Sequence, residues 1–357
     1  MYPRSFSAII SLGFAALSSA ISIHKPYSNH TNHIPFPSHL VHQFPDPTWV
    51  ENIRVRSTGE LVLTLVTKPD VYYVDPACPS TATLIHNFPQ NLAILGITEV
   101  QLDQFYVLGS NFTLSPVPNL EIGTDIIYSI DLSNYRASTN SGAIISKIAD
   151  VPKISFGNGM DTLDASRKLI VIGDSIQGAA WLFNVETGDY SIILREPEMA
   201  PPPASGGSSL GINGIRVLPK AYDEVYIYWD NTNAHLFCRV PFSLSTLAKT
   251  GPVEILANFT SADLTTDDFA LDEKEGYAYL ACQQNQILRV PLGGGEAVSV
   301  LGGLNSTVVA GPTSVAVARG DECEGTIYVT TNGGLLTPVN GTFTEGGEVI
   351  AVKTKRK

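Results

Sequence analysis

Four oxygen-bearing residues, Glu51, Asn158, Asn213 and Asp267, are scattered over most of the chain, yet each opens a similar phrase. The phrases are Glu51-Asn52-Ile53-Arg54-Val55, Asn158-Gly159-Met160, Asn213-Gly214-Ile215-Arg216-Val217 and Asp267-Asp268-Phe269-Ala270-Leu271. Two carboxylates and two amide carbonyls are hard oxygen donors. Brought together, they suit Ca²⁺ or Mg²⁺ and not zinc, which prefers Cys and His. Asn-Gly and Asp are also common turn residues, so caps at four unrelated turns are the structural alternative.

Other catalytic arrangements find little support. Five of the seven histidines, His24, His30, His33, His39 and His42, lie near the N-terminus, and His86 and His235 stand away from the four phrases. A His-based nucleophilic triad is therefore not expected. No Gly-x-Ser-x-Gly elbow, phosphate loop or dinucleotide fingerprint occurs in a credible setting.

The elements that must position the quartet form a repeat. Leu40-Val41-His42-Gln43-Phe44-Pro45 is echoed by Leu84-Ile85-His86-Asn87-Phe88-Pro89, each leading into an apolar strand. After each key residue come an apolar strand, a turn, an aromatic-rich strand, a third strand ending near Pro or Asp, and a fourth. Six such units, separated by Gly, Pro, Asn and Asp turns, predict an all-β, six-bladed β-propeller over residues 39–352. The last unit has only three strands, so residues 39–44 are expected to complete it and lock the ring. If the repeats circle an axis, their equivalent positions meet there. Residues 199–211 and 112–123 read as insertions, residues 21–38 as a loose leader, and residues 353–357 as a basic tail.

The hydrophobic fraction is 44% and only 16% of residues are charged, which suits a compact core rather than a disordered chain. A net charge of −12 disfavours nucleic acid and anionic membranes. Residues 1–20 read as a secretory signal peptide: Arg4, a short apolar stretch from Phe6 to Leu17, and Ser18-Ser19-Ala20. Sequons at Asn29, Asn111, Asn258, Asn305 and Asn340 agree with a secreted glycoprotein. In an oxidising compartment the four cysteines allow disulfides. Cys78–Cys323 and Cys238–Cys282 are the expected pairs, with buried free thiols as the alternative for the second.

Aromatic and apolar residues near strand ends, namely Trp49, Phe156, Met160, Tyr228, Trp229 and Phe269, supply a candidate substrate pocket. Plain inter-blade packing is the competing role. The partners this implies are apolar small molecules.

Six repeats with Glu, Asn, Asn and Asp at strand entries resemble the senescence-marker-protein/gluconolactonase propellers. That resemblance implies that Glu51, Asn213 and Asp267 are ligands of a divalent metal, with Asn158 as the nearby amide. The family's Arg-x-Asn-Asp is here Ser155-Phe156-Gly157-Asn158-Gly159, which lacks the sugar-gripping Arg. The Trp-x-Glu-Asn-Ile phrase, Asp-Asp-Phe-Ala-Leu and the signal peptide look more like a fungal secretory branch that includes tropolone–sesquiterpenoid hetero-Diels–Alderases. The implied reaction joins an o-quinone methide derived from a tropolone to a humulene-type alkene in meroterpenoid biosynthesis. Glu51, Asn158, Asn213 and Asp267 are then the expected catalytic residues, and cycloaddition itself requires no cofactor. A Ca²⁺- or Mg²⁺-dependent lactonase or esterase, and a non-catalytic ligand-binding propeller, are the other two expectations.

Overall fold

The computed structural model describes residues 35–78, 81–114, 119–203, 209–320 and 325–355. They form a six-bladed β-propeller of antiparallel sheets, with short 3-10 turns and no α-helix among the described residues. Blade I runs Val50–Val55, Leu61–Leu65, Asp70–Val74 and Ala82–Asn87 from the channel outward. Blades II to V start at Ala93–Gln101, Gly157–Asp164, Ile212–Ala221 and Thr266–Asp272. Blade VI is Pro312–Val317, Thr326–Thr331 and Glu348–Lys353, and its outer strand is Ser38–Gln43. The N-terminal strand thus closes the ring, as the repeat predicts. Closure leaves only short edges, and so limits edge-to-edge pairing.

Alternation along each inner strand sorts the side chains. Ile53, Ile97, Met160, Ile215, Phe269 and Val315, at equivalent positions, are essentially inaccessible to solvent and fill the seams between blades. The residues beside them face the channel.

Several sequence expectations are corrected. Cys238 and Cys282 are separate buried thiols. Cys238 lies opposite Trp229 and packs toward blade III, whereas its neighbour Phe237 packs toward blade V together with Cys282. The period of two therefore turns the two sulfurs to opposite sides of the blade IV sheet. Cys78 is an exposed free thiol, and Cys323 lies outside the described residues.

The end of the leader is not loose. Phe36 is buried, its N–H donates to the Val300 carbonyl at 2.8 Å, and the Arg289 guanidinium sits over its ring. In the tail, Lys353 belongs to the third strand of blade VI and its N–H donates to the Pro37 carbonyl. The 199–211 insertion is anchored at its start: Met199 is fully buried, and the Asn231 amide donates to the carbonyls of Glu198 and Ala200 at 3.0 and 2.9 Å. The 112–123 insertion forms a small hairpin, Phe112–Thr113 against Asn119–Leu120. The signal-peptide segment and the Asn29 sequon lie outside the described residues. Asn258, Asn305 and Asn340 are exposed, and the half-buried Asn111 donates its amide to Glu121 at 3.0 Å. No helix among the described residues is long and apolar enough to cross a membrane.

Candidate active site

Each inner strand breaks register near its start. The ladder skips between Val50 and Asn52, Ile94 and Ile97, Gly157 and Met160, Ile212 and Ile215, Thr266 and Phe269, and Pro312 and Ser314. A bulge frees residues from the ladder and re-aims their side chains. Six repeated bulges therefore create two stacked layers at one end of the channel. The first is Glu51, Leu95, Asn158, Asn213, Asp267 and Thr313. The second is Asn52, Gly96, Gly159, Gly214, Asp268 and Ser314.

The second layer explains how the axis is filled. A Cβ on Gly96 would lie 2.3 Å from the Asn158 carbonyl oxygen, and one on Gly159 would lie 2.6 Å from that of Asn213. One on Gly214 would meet the Asp268 carboxylate at 2.3 Å. Blades II to IV thus approach backbone to backbone, and the side chains of the other half occupy the axis. Asn52 donates to Asp268 Oδ2 at 2.8 Å, the Ser314 hydroxyl reaches the same oxygen at 3.3 Å, and Arg216 donates to it at 2.6 Å. Arg216 and Asp268 are both almost wholly buried, and Arg216 Nε has no hydrogen-bond partner. This hydrogen-bonded plug divides the channel into two mouths.

Above the plug, the first layer is acidic. Asn213 donates through Nδ2 to Asp267 Oδ1 and to Thr232 Oγ1, both at 2.9 Å. Trp49 Nε1 donates to Glu51 Oε2. Asp230, on the second strand of blade IV, accepts from the Gly214 N–H at 2.8 Å and from the Thr266 hydroxyl at 2.7 Å. Three carboxylates, Glu51, Asp230 and Asp267, therefore stand around the Arg216–Asp268 pair.

Burial and mutual repulsion hold these acids toward their neutral forms. Burial, then the Asp267 charge, raises the Glu51 pKa well above the usual carboxylate range; the Trp49 donor opposes the shift. Burial, then Asp268, raises Asp267 to about 7, against the Asn213 donor. Burial raises Asp230 as well, against the Thr266 hydroxyl. Among the described residues Asp267 Oδ2 is buried and meets no donor at full hydrogen-bond geometry, with the Gln283 side chain adding a weaker pull toward the ionised form. Among the described residues no hydrogen bond engages the Asn158 side-chain amide.

All four residues predicted from the repeat occupy this first layer, and every one is buried. The aromatic candidates separate. Trp49 and Phe156 belong to the cluster beside the layer, where the half-buried Phe112, Leu114, Ile176, Leu210 and Leu335 pack against that cluster. The Phe112 and Phe156 rings lie 5.5 Å apart. Met160, Tyr228, Trp229 and Phe269 are 0–1% exposed and pack between blades. Sequence reading passed over Asn52, Asp268, Ser314 and Arg216, although three glycines at one repeat position against Asn, Asp and Ser at the others carried that signal. The apolar rim residues lie in loops whose spacing does not repeat.

The opposite mouth has another character. A cavity of about 230 Å³ is lined by the charged residues Arg54, Glu99, Asp161, Arg216 and Arg319 and, on blades V and VI, by the apolar Ala270, Leu271, Ala316 and Val317. Arg54 pairs with Asp161 at 2.8 Å, and Arg319 pairs with Glu99. Burial, opposed by Asp161 and aided by Arg216, lowers Arg54 to about 10.

Comparison with known proteins agrees with the resemblance seen in the sequence. A Phoma sp. protein described as "Putative hetero-Diels-Alderase" is 26% identical over 355 residues, covering 93% of this chain and 95% of that protein. A second of the same description, asR5 of Sarocladium schorii, is 24% identical over 330 residues, covering 83% of this chain and 78% of its own length. No family model matches the sequence. Among solved structures, a calcium-binding regucalcin of Agrobacterium tumefaciens superposes with a TM-score of 0.59 at 13% identity, covering 91% of this chain and 97% of its own. A luciferin-regenerating enzyme also gives 0.59, at 14% identity over 87% of this chain and 92% of its own. These structural likenesses concern the six-bladed fold.

Proposed function

We propose that this chain is a hetero-Diels–Alderase of secondary metabolism, and that the acidic mouth carries its chemistry. The relatives' description supports the reaction class. The observation that carries the site is the pair of buried, proton-retaining acids, Glu51 and Asp267, next to an apolar rim. The proposed substrates are a hydroxymethyl tropolone and a humulene-type alkene, and the proposed setting is the secretory pathway.

Burial and mutual repulsion raise the pKa of both Glu51 and Asp267, which favours a state with one carboxyl protonated and the other ionised. The protonated carboxyl donates to the leaving hydroxyl of the tropolone, and its C–O bond breaks to release water. The ionised partner takes the ring hydroxyl proton, which leaves the neutral o-quinone methide. The ring oxygen of this heterodiene then forms a C–O bond while its methylene carbon forms a C–C bond to the alkene. No proton is gained or lost in that step. Asn158 donates to the ring oxygen and draws electron density from the heterodiene. Trp49, Phe156 and the rim residues hold the two apolar partners in contact, which supplies rate through proximity.

The experiment is adduct formation from the tropolone precursor and the alkene, with yield and stereochemistry read against a buffer control. Product indistinguishable from the control rejects the reading.

The same residues favour a second reading, a lactonase or esterase. Glu51, Asn213 and Asp267 are hard oxygen donors, and the buried Asp267 Oδ2 and the repelling acids fit a Ca²⁺ or Mg²⁺ ion. Such an ion would supply Lewis acidity toward a carbonyl. Under this reading lactone hydrolysis disappears with chelator and with Glu51→Gln; activity indifferent to both excludes it.

A further inference from the structure

The mouth beyond the plug has guanidinium donors that its own carboxylates do not engage. Both oxygens of Asp161 are engaged: Oδ1 accepts from Arg54 and, at 3.4 Å, from the Thr98 hydroxyl, and Oδ2 accepts from the Val217 N–H at 2.9 Å. Glu99 is likewise used, with Oε1 accepting from the Asp103 N–H at 2.8 Å and Oε2 from Arg319. The guanidiniums are not saturated. Arg54 spends Nε on the Ile97 carbonyl and Nη2 on Met160 and Asp161, and no bond among the described residues uses Nη1. Arg319 spends only Nη1, on the Val55 carbonyl and Glu99. Among the described residues five N–H groups are thus without a protein acceptor, two on Arg54 and three on Arg319. The same cavity is lined on blades V and VI by Ala270, Leu271, Ala316 and Val317, which offer no polar side chain.

We propose that this cavity is a second ligand site, taking a small carboxylate with an apolar body. The carboxylate meets the spare guanidinium donors, for which its planar pair of oxygens is the matching acceptor. The body lies against the apolar residues of blades V and VI. A cavity of about 150 Å³ accommodates benzene, so about 230 Å³ has room for a six-membered ring and its head group. The plug of Asn52, Asp268, Ser314 and Arg216 keeps this ligand apart from the acidic mouth. The site stands independently of the function proposed above.

Calorimetric titration with benzoate tests it, with acetate and benzyl alcohol as partial probes. Benzoate is expected to saturate one site, and each partial probe to bind at least about tenfold more weakly. Ala316→Phe, which fills the apolar part of the cavity, should abolish benzoate binding. Arg319→Gln, at a half-exposed position, should weaken it about fivefold or more while leaving the fold intact. Glu51→Gln, on the other mouth, should leave it unchanged. Absence of saturation, equal affinity for benzyl alcohol, sensitivity to Glu51→Gln, or binding that survives both cavity variants overturns the proposal.

Discussion

The two mouths of the channel are built from the same six strands three residues apart, yet they hold charge in opposite ways. At the entry end, Glu51, Asp230 and Asp267 crowd together above the plug, whose buried cation, Arg216, is committed to Asp268. At the exit end, Arg54 and Arg319 are paired with Asp161 and Glu99 and still have donors to spare. The charge environment of a propeller channel is therefore set layer by layer. A residue and the one three places on look out at different dielectric surroundings and different partners. The entry layer keeps its acids partly protonated by burial, while the exit layer keeps its charges by pairing them near solvent.

Substitutions break this contrast to different degrees. The largest effect is expected from Asp268→Ala, which leaves Arg216 buried and unpaired and should cost about 3–5 kcal/mol in chemical denaturation. A loss below about 1 kcal/mol would mean that the plug is not what closes the axis. Glu51→Gln keeps shape and hydrogen bonding but removes a titrating acid. Adduct formation from the hydroxymethyl precursor should fall about 100-fold, the lower range for general acid–base catalysis, with the fold retained. Gly214→Ala should follow, at about 1–3 kcal/mol, because its methyl overpacks the Asp268 carboxylate.

The pH dependence sharpens the same contrast. Asp267, Asp125 and Glu348 are raised to about 7 by burial, and Glu51 and Asp230 are raised too, against unfolded values of about 4. The folded chain therefore binds more protons than the unfolded chain between about pH 4 and 7, and stability falls as pH rises through that window. Asp164, where burial is outweighed by hydrogen bonds from Ser166 and Arg167, and Asp223, held down by the Ser245 and Ser243 hydroxyls, have lowered pKa values and act below it. Calorimetry should give a lower Tm at pH 8 than at pH 5; a flat or rising Tm would contradict the protonated entry layer. The smallest effect is expected at the exit mouth, where Arg319→Gln breaks a half-exposed pair and should cost less than about 1 kcal/mol.

Much of this was legible in the residues. Six recurrences of an apolar second strand and a third strand ending near Pro or Asp carried the blade count, and the three-stranded last repeat carried the closing role of the N-terminal strand. Less legible were the roles of individual aromatics. Phe156 and Trp229 both sit near strand ends, but Phe156 packs beside the rim and Trp229 is sealed between blades. A strand end does not say which way a ring turns. The Cys238–Cys282 expectation failed for the same reason: adjacency of blades is readable, and the face of the sheet is decided by register.

The sequence by itself determined the repeat, and through it which residues share a height on the channel. This is local information, because strand period and turn chemistry act over a few residues. Only the tertiary structure decided what happens across the axis. Whether Gly159 and Gly214 leave room, whether Asp268 or Asp267 receives the guanidinium, and whether Glu51 is held toward its neutral form all depend on groups from distant blades meeting in a buried space. Burial and repulsion between residues hundreds of positions apart set those outcomes, and no single repeat encodes them.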